Sequence, residues 1–147
     1  MSTQEMDLET ALQWKELGFY YLVDEKEMVW TLRGDRAGLL KFVNSLREYA
    51  KNPVNHVIGE HEHFGPYFYL KVTTRSFASI TDDGLTGMPE DFLKLASLIE
   101  RYLATPAQKS FVIGKDFAPT ATFSIRFEIE EDGFDPSSAD PGITHRS

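Results

Sequence analysis

The chain has 147 residues, with 15 Lys and Arg against 23 Asp and Glu, a net charge of −8, and no Cys. That length suits one domain, and 11 Phe, 6 Tyr and 2 Trp supply enough large apolar surface for a core, which excludes wholesale disorder. The charge excludes a nucleic-acid binder and favours a basic partner, and the lack of Cys excludes disulfides, thiol nucleophiles and thiolate zinc sites. No apolar run reaches the roughly 18 residues a membrane span needs. The opening segment, Met1 to Asp7, has neither the basic nor the apolar region of a secretory leader, so a cytoplasmic location is expected.

Residues 3–17 read as a short helix with a patchy apolar face of Leu8, Ala11, Leu12 and Leu17, ended by Gly18. Residues 19–23 are rich in β-favouring types and read as a strand. Residues 27–33 alternate, with Met28, Trp30 and Leu32 on the inward face. Asp35 then suits a helix N-cap, and Leu39, Leu40, Val43, Leu46 and Ala50 recur at helical spacing over 36–51. Pro53 stops that helix. Residues 56–63 read as extended. Gly65-Pro66 marks a turn, and 67–74 alternate, with Phe68, Leu70 and Val72 opposite Tyr67, Tyr69, Lys71 and Thr73.

A weaker strand at 77–81 is closed by the turn Asp82-Asp83-Gly84. Pro89, Glu90 and Asp91 open a second amphipathic helix that ends near residue 104, lined by Phe92, Leu95, Ala96, Ile99, Tyr102 and Leu103. Strands follow at 110–114 and 121–130, the latter with Phe123, Ile125, Phe127 and Ile129 inward. The expected architecture is α+β: a two-layer sandwich, mostly antiparallel sheet, with two main amphipathic helices on one face. Residues 1–18 form an N-terminal segment, 19–131 a single domain, and 132–147 an acidic, turn-rich tail with Phe134 as a pin.

The most unusual local feature is the histidine strand. On a strand His61 and His63 share a face, so they form a candidate pair for a divalent transition metal, with Glu60, His56 or Asp82 as a further ligand. The plainer readings are an exposed polar strand face, or imidazoles packed on nearby tyrosines. Tyr67 and Tyr69, if wet, make an amphipathic contact surface of the kind interfaces favour. The candidate partner-binding residues are therefore His61, Glu62, His63, Tyr67 and Tyr69.

Other chemistry is not indicated. Asp82-Asp83-Gly84 and Asp132-Gly133 with Asp135 fail the calcium-loop pattern and read as turns. No nucleophile elbow and no phosphate-binding glycine loop occurs, and no catalytic residues are assigned. The acids Glu128, Glu130, Glu131, Asp132, Asp135 and Asp140 form a run that reads as a solvated edge or as a lure for a basic protein.

Three blocks carry a resemblance: Arg33-Gly34-Asp35-Arg36-Ala37-Gly38-Leu39-Leu40, Glu60-His61-Glu62-His63-Phe64, and Thr86-Gly87-Met88-Pro89-Glu90-Asp91-Phe92. Over residues 28–104 the chain resembles the immunity protein 32 group of bacterial polymorphic-toxin systems and related uncharacterised bacterial proteins. The resemblance implies a small α+β protein that neutralises a cognate toxin without catalysis or cofactor, with His61 and His63 as a contact or metal pair. The competing expectations are a metal-binding protein or metal-dependent enzyme built on that pair, and an adaptor that dimerises through a sheet edge at 110–114 or 121–130.

Overall fold

The computed structural model describes residues 2–143. It opens with helix α1 (Thr3–Leu17), whose first turn is capped by the Ser2 hydroxyl accepting from Glu5 N–H at 3.2 Å. Gly18 ends α1 at φ 95, a left-handed conformation glycine adopts without strain, and returns its N–H to Trp14 O. The expected apolar face is only partly used. Leu8 and Leu12 are 63% and 56% exposed, and Trp14 is the residue α1 buries.

Strands β1 (Tyr20–Asp24) and β2 (Val29–Gly34) form an antiparallel hairpin. Met28 stands before β2 at φ 55 and is exposed, so the inward register begins at Trp30 rather than Met28. Helix α2 (Arg36–Lys51) follows, with the Asp35 carboxylate accepting from Gly38 N–H at 2.7 Å. A 3-10 turn at Pro53–His56 leads into four short strands: β3 (His61–Phe64), β4 (Leu70–Thr74), β5 (Ser79–Thr81) and β6 (Gly84–Gly87). Helix α3 (Pro89–Leu103) carries Pro89 in its first turn, and Asp91 accepts from Met88 N–H at 2.8 Å. Strands β7 (Ser110–Ile113) and β8 (Ser124–Ile129) follow, and a 3-10 turn spans Pro136–Ala139.

The fold is α+β, and its strands divide between two four-stranded sheets rather than one. One sheet has the order β1-β2-β8-β7, the other β3-β4-β6-β5. In each, two antiparallel hairpins meet through a parallel central pair, β2 with β8 and β4 with β6. The second sheet is thus inserted between the two hairpins of the first. The expected turn at Asp82-Asp83-Gly84 continues into β6, a strand with glycine at both ends. Gly84 sits there at φ 129, where an added Cβ would fall 2.1 Å from Lys71 O.

One core serves the whole molecule. Phe42 on α2 lies at its centre, with ring centroids 5.3 Å from Phe19, 6.2 Å from Phe64 and 6.3 Å from Phe127. Helices α2 and α3 are tied at both ends of their contact. Arg36 donates to the carbonyl of Leu103, the last residue of α3, and to those of Thr105, Pro106 and Gln108 in the loop that follows. Arg47 makes a two-pronged pair with Glu100 at 3.0 Å in each prong.

The acidic segment after β8 lies against the protein as far as it is described. Arg33 stands 5.4 Å from the Phe134 ring centroid and pairs with Glu130 at 3.1 Å and Glu128 at 3.4 Å. Ser137, Asp140 and Ile143 are buried. The last four residues of the expected tail, 144–147, lie outside the described residues. No helix among the described residues is long and apolar enough to cross a membrane.

Candidate functional site

The five residues singled out by sequence occupy three neighbouring surfaces. Strand β3 is an edge strand, paired only with β4, and its His61, Glu62 and His63 side chains meet solvent while Phe64 enters the core. Alternation puts His61 and His63 together, ring centroids 5.1 Å apart and edge to face. Each ring is oriented by a backbone carbonyl: His63 Nδ1 donates to Phe68 O at 3.0 Å, and His61 Nδ1 to Gly59 O at 3.3 Å. A carbonyl accepts only, so Nδ1 is the donor in each contact, and among the described residues neither Nε2 has a hydrogen-bond partner. Among the described residues, however, no group of three or more His, Asp or Glu side chains gathers as a metal site.

Glu62 borders a polar cleft of about 350 Å³ that it shares with Glu48, Tyr49, Asn55 and His61. Desolvation in that cleft raises its carboxyl above the usual range, and the Glu48 carboxylate adds to the effect. Tyr49 ties the cleft to the core, donating to Glu60 O at 2.8 Å beside Thr74 Oγ1 at 2.7 Å.

Tyr67 and Tyr69 are not in a strand. They belong to the segment between β3 and β4, where Phe68 takes φ 59. That turn breaks the expected alternation. Phe68 does not face inward but stands 62% exposed, 5.8 Å from the His63 ring. Tyr69 is 65% exposed, and its ring lies 5.6 Å from that of Tyr67.

Behind these two tyrosines is a cavity of about 240 Å³ that sequence reading did not foresee. Trp14, Tyr20, Tyr21 and Trp30 line it together with Tyr67, Tyr69 and Asp140. Trp14 is the hub, with centroids 4.9 Å from Tyr20, 5.1 Å from Tyr21 and 6.0 Å from Tyr67. Asp140 is only 4% exposed. Its Oδ2 accepts from Trp14 Nε1 at 2.8 Å and from Tyr67 OH at 2.6 Å, and its Oδ1 accepts from Gly142 N–H at 2.8 Å. Trp30 Nε1 donates to Thr81 O at 2.7 Å, and Tyr21 OH to Phe64 O at 2.5 Å, so the cavity wall also joins the two sheets.

Electrostatics follow from this enclosure. Burial pushes the Tyr21 phenol up to about 12. Burial also raises Tyr67, and the hydrogen bond to Asp140 and its charge add to the effect. Tyr20 rises for the same reasons, burial first and Asp140 second, with Arg33 opposing.

One sequence signal pointed here. The chain has two tryptophans, and both line this cavity. Asp140 left no such trace, because it stands 126 positions from Trp14 and 73 from Tyr67 in an acidic run that resembles any solvated edge. Comparison with protein-family models, with curated proteins and with solved structures finds no match to this chain.

Proposed function

We propose that this chain is a non-enzymatic binding protein that captures a basic protein partner, in the manner of an immunity protein neutralising its toxin. The observation that carries the reading is the exposed patch formed by His61, His63, Phe68 and Tyr69 beside Tyr67. Phe68 and Tyr69, on the loop before β4, stay 62% and 65% exposed, and exposed aromatic patches of this kind mark contact surfaces. Val57 and Ile58, just before β3, are also more than half exposed and extend the apolar character. The net charge of −8 favours a basic partner, because complementary potentials speed encounter.

The test is retention of a partner by the tagged full chain from lysate of its own source, washed at low and then high salt. The expected result is one basic protein in near-equal amount, loosened by salt and lost from a His61→Glu/His63→Glu/Tyr69→Ala variant. A variant that holds the partner as tightly as the parent at low salt would show that the face is wrong.

A second reading rests on the carbonyl-anchored imidazoles. Metal-binding histidines are commonly oriented through their other ring nitrogen in this way, and here both Nε2 atoms are available. A divalent transition metal would need a further ligand, from water or from a partner. Metal content after chelator-free purification decides this reading, and a stoichiometry near zero for every metal removes it.

A further inference from the structure

The aromatic cavity beside Tyr67 and Tyr69 has a chemistry of its own. Its lining holds two indoles and four phenols beside Leu22, Val23 and Pro141, and the rings open to solvent are those of Tyr67 and Tyr69, whose π-faces are negative. It contains one carboxylate and no Lys or Arg. Among the described residues Asp140 forms no ion pair, although it is 4% exposed. It accepts three hydrogen bonds, from Trp14, Tyr67 and Gly142. A carboxylate has about four acceptor positions, so one remains. Tyr20 adds a second open group. It is 9% exposed, it lines the cavity, and its hydroxyl makes no hydrogen bond among the described residues.

These features call for one kind of occupant: a cation that is flat, weakly hydrated and rich in N–H donors. The size narrows the choice. About 240 Å³ is below the roughly 300–1,000 Å³ of small-molecule sites, and suits a single side chain. Guanidinium stacks on aromatic faces and sheds water more readily than ammonium does. We propose that this cavity is the socket for an arginine side chain of the basic partner, its guanidinium laid against the exposed Tyr67 and Tyr69 rings with its N–H groups toward Asp140 and the Tyr20 hydroxyl. The proposal rests on the partner-binding reading above and names its anchor.

The two tryptophans make the socket its own reporter, because both line it. The full chain is titrated with N-acetyl-arginine amide while tryptophan emission is followed at constant ionic strength. N-acetyl-citrulline amide, neutral and nearly the same shape, and N-acetyl-lysine amide are run in parallel. The expected result is a saturable, millimolar change with arginine, at least about tenfold weaker with citrulline and weaker again than arginine with lysine. Tyr69→Ala, at an exposed position, keeps the fold and weakens the arginine titration severalfold. Asp140→Asn does the same, with near-ultraviolet circular dichroism as the check on its fold.

Absence of a saturable arginine signal overturns the proposal. Equal binding of citrulline replaces it with a neutral pocket, and equal binding of lysine removes the guanidinium assignment. An unchanged titration in Tyr69→Ala places binding elsewhere. The two readings fail separately. A silent titration with salt-sensitive partner capture removes the socket alone. A positive titration with no partner removes the partner reading and leaves a guanidinium site.

Discussion

Gly38 shows how one residue decides whether two elements can meet. It lies in the first turn of α2, and an added Cβ there would fall 1.9 Å from Gly18 O and 2.9 Å from Gly18 C. Two effects oppose each other in Gly38→Ala. Alanine gains up to about 1 kcal/mol of helix propensity. The clash is with backbone at the end of α1, which has no rotamer to give, and overpacking of this kind costs about 1–3 kcal/mol or more. The clash wins. We expect Gly38→Ala to lose about 2 kcal/mol overall, read as a lower urea midpoint with the slope unchanged. Equal or higher stability would show that α1 can move off α2 at no cost. The Asp35 carboxylate, which accepts from Gly38 N–H, also accepts from Gly133 N–H at 2.9 Å, so the same turn fastens the segment after β8.

Among the elements, α1 depends most on the rest of the chain. Its apolar residues do not form one stripe, and an isolated helix of 15 residues is marginal in water. What holds it is Trp14, buried among Tyr20, Tyr21 and Tyr67 and hydrogen-bonded to Asp140. Asp140→Ala would leave the Trp14 N–H buried without a partner, a loss of about 1–3 kcal/mol. We expect that loss to appear locally, as roughly tenfold faster amide exchange in α1 while α2 and α3 keep their protection. A uniform loss across all three helices would show that α1 is not a separable unit.

The same contrast explains what the sequence made legible. Helices α2 and α3 carry a continuous apolar stripe and local caps, Asp35 for one and Pro89 with Asp91 for the other, so their spans could be read within a residue. Strands β2 and β8 alternate cleanly for the same local reason. Strand β6 could not be read, because Gly84 is set by closeness to Lys71 on β4 and Gly87 by closeness to Asp91 on α3, not by strand preference. The expected contact role of Tyr67 and Tyr69 remains a proposal. Trp14 and Asp140, which contact Tyr67, lie far from it in sequence, and no local pattern joins them.

At the scale of the whole molecule, the question is whether two sheets make one folding unit. The parallel pairing of Val29–Gly34 with Ser124–Ile129 spans nearly the whole intervening chain, and the other sheet lies within that span. Three bridges cross between the sheets. Trp30 on β2 donates to Thr81 O on β5, Tyr21 on β1 donates to Phe64 O on β3, and the Phe42 ring stands near both Phe64 and Phe127. A core shared in this way predicts a single cooperative transition. Phe42→Leu removes ring contacts to both sheets at once, at a cost of about 1–3 kcal/mol. Its expected effect is the same downward shift for β4 and β8, followed by amide signals residue by residue through a urea series. If β3–β6 melted ahead of β1, β2, β7 and β8 in either protein, the inserted sheet would be a subunit of its own, joined to the first by contacts too weak to couple their unfolding. Coincident transitions in both proteins would show that the two sheets unfold as one unit and that their coupling outlasts the loss of the Phe42 ring contacts.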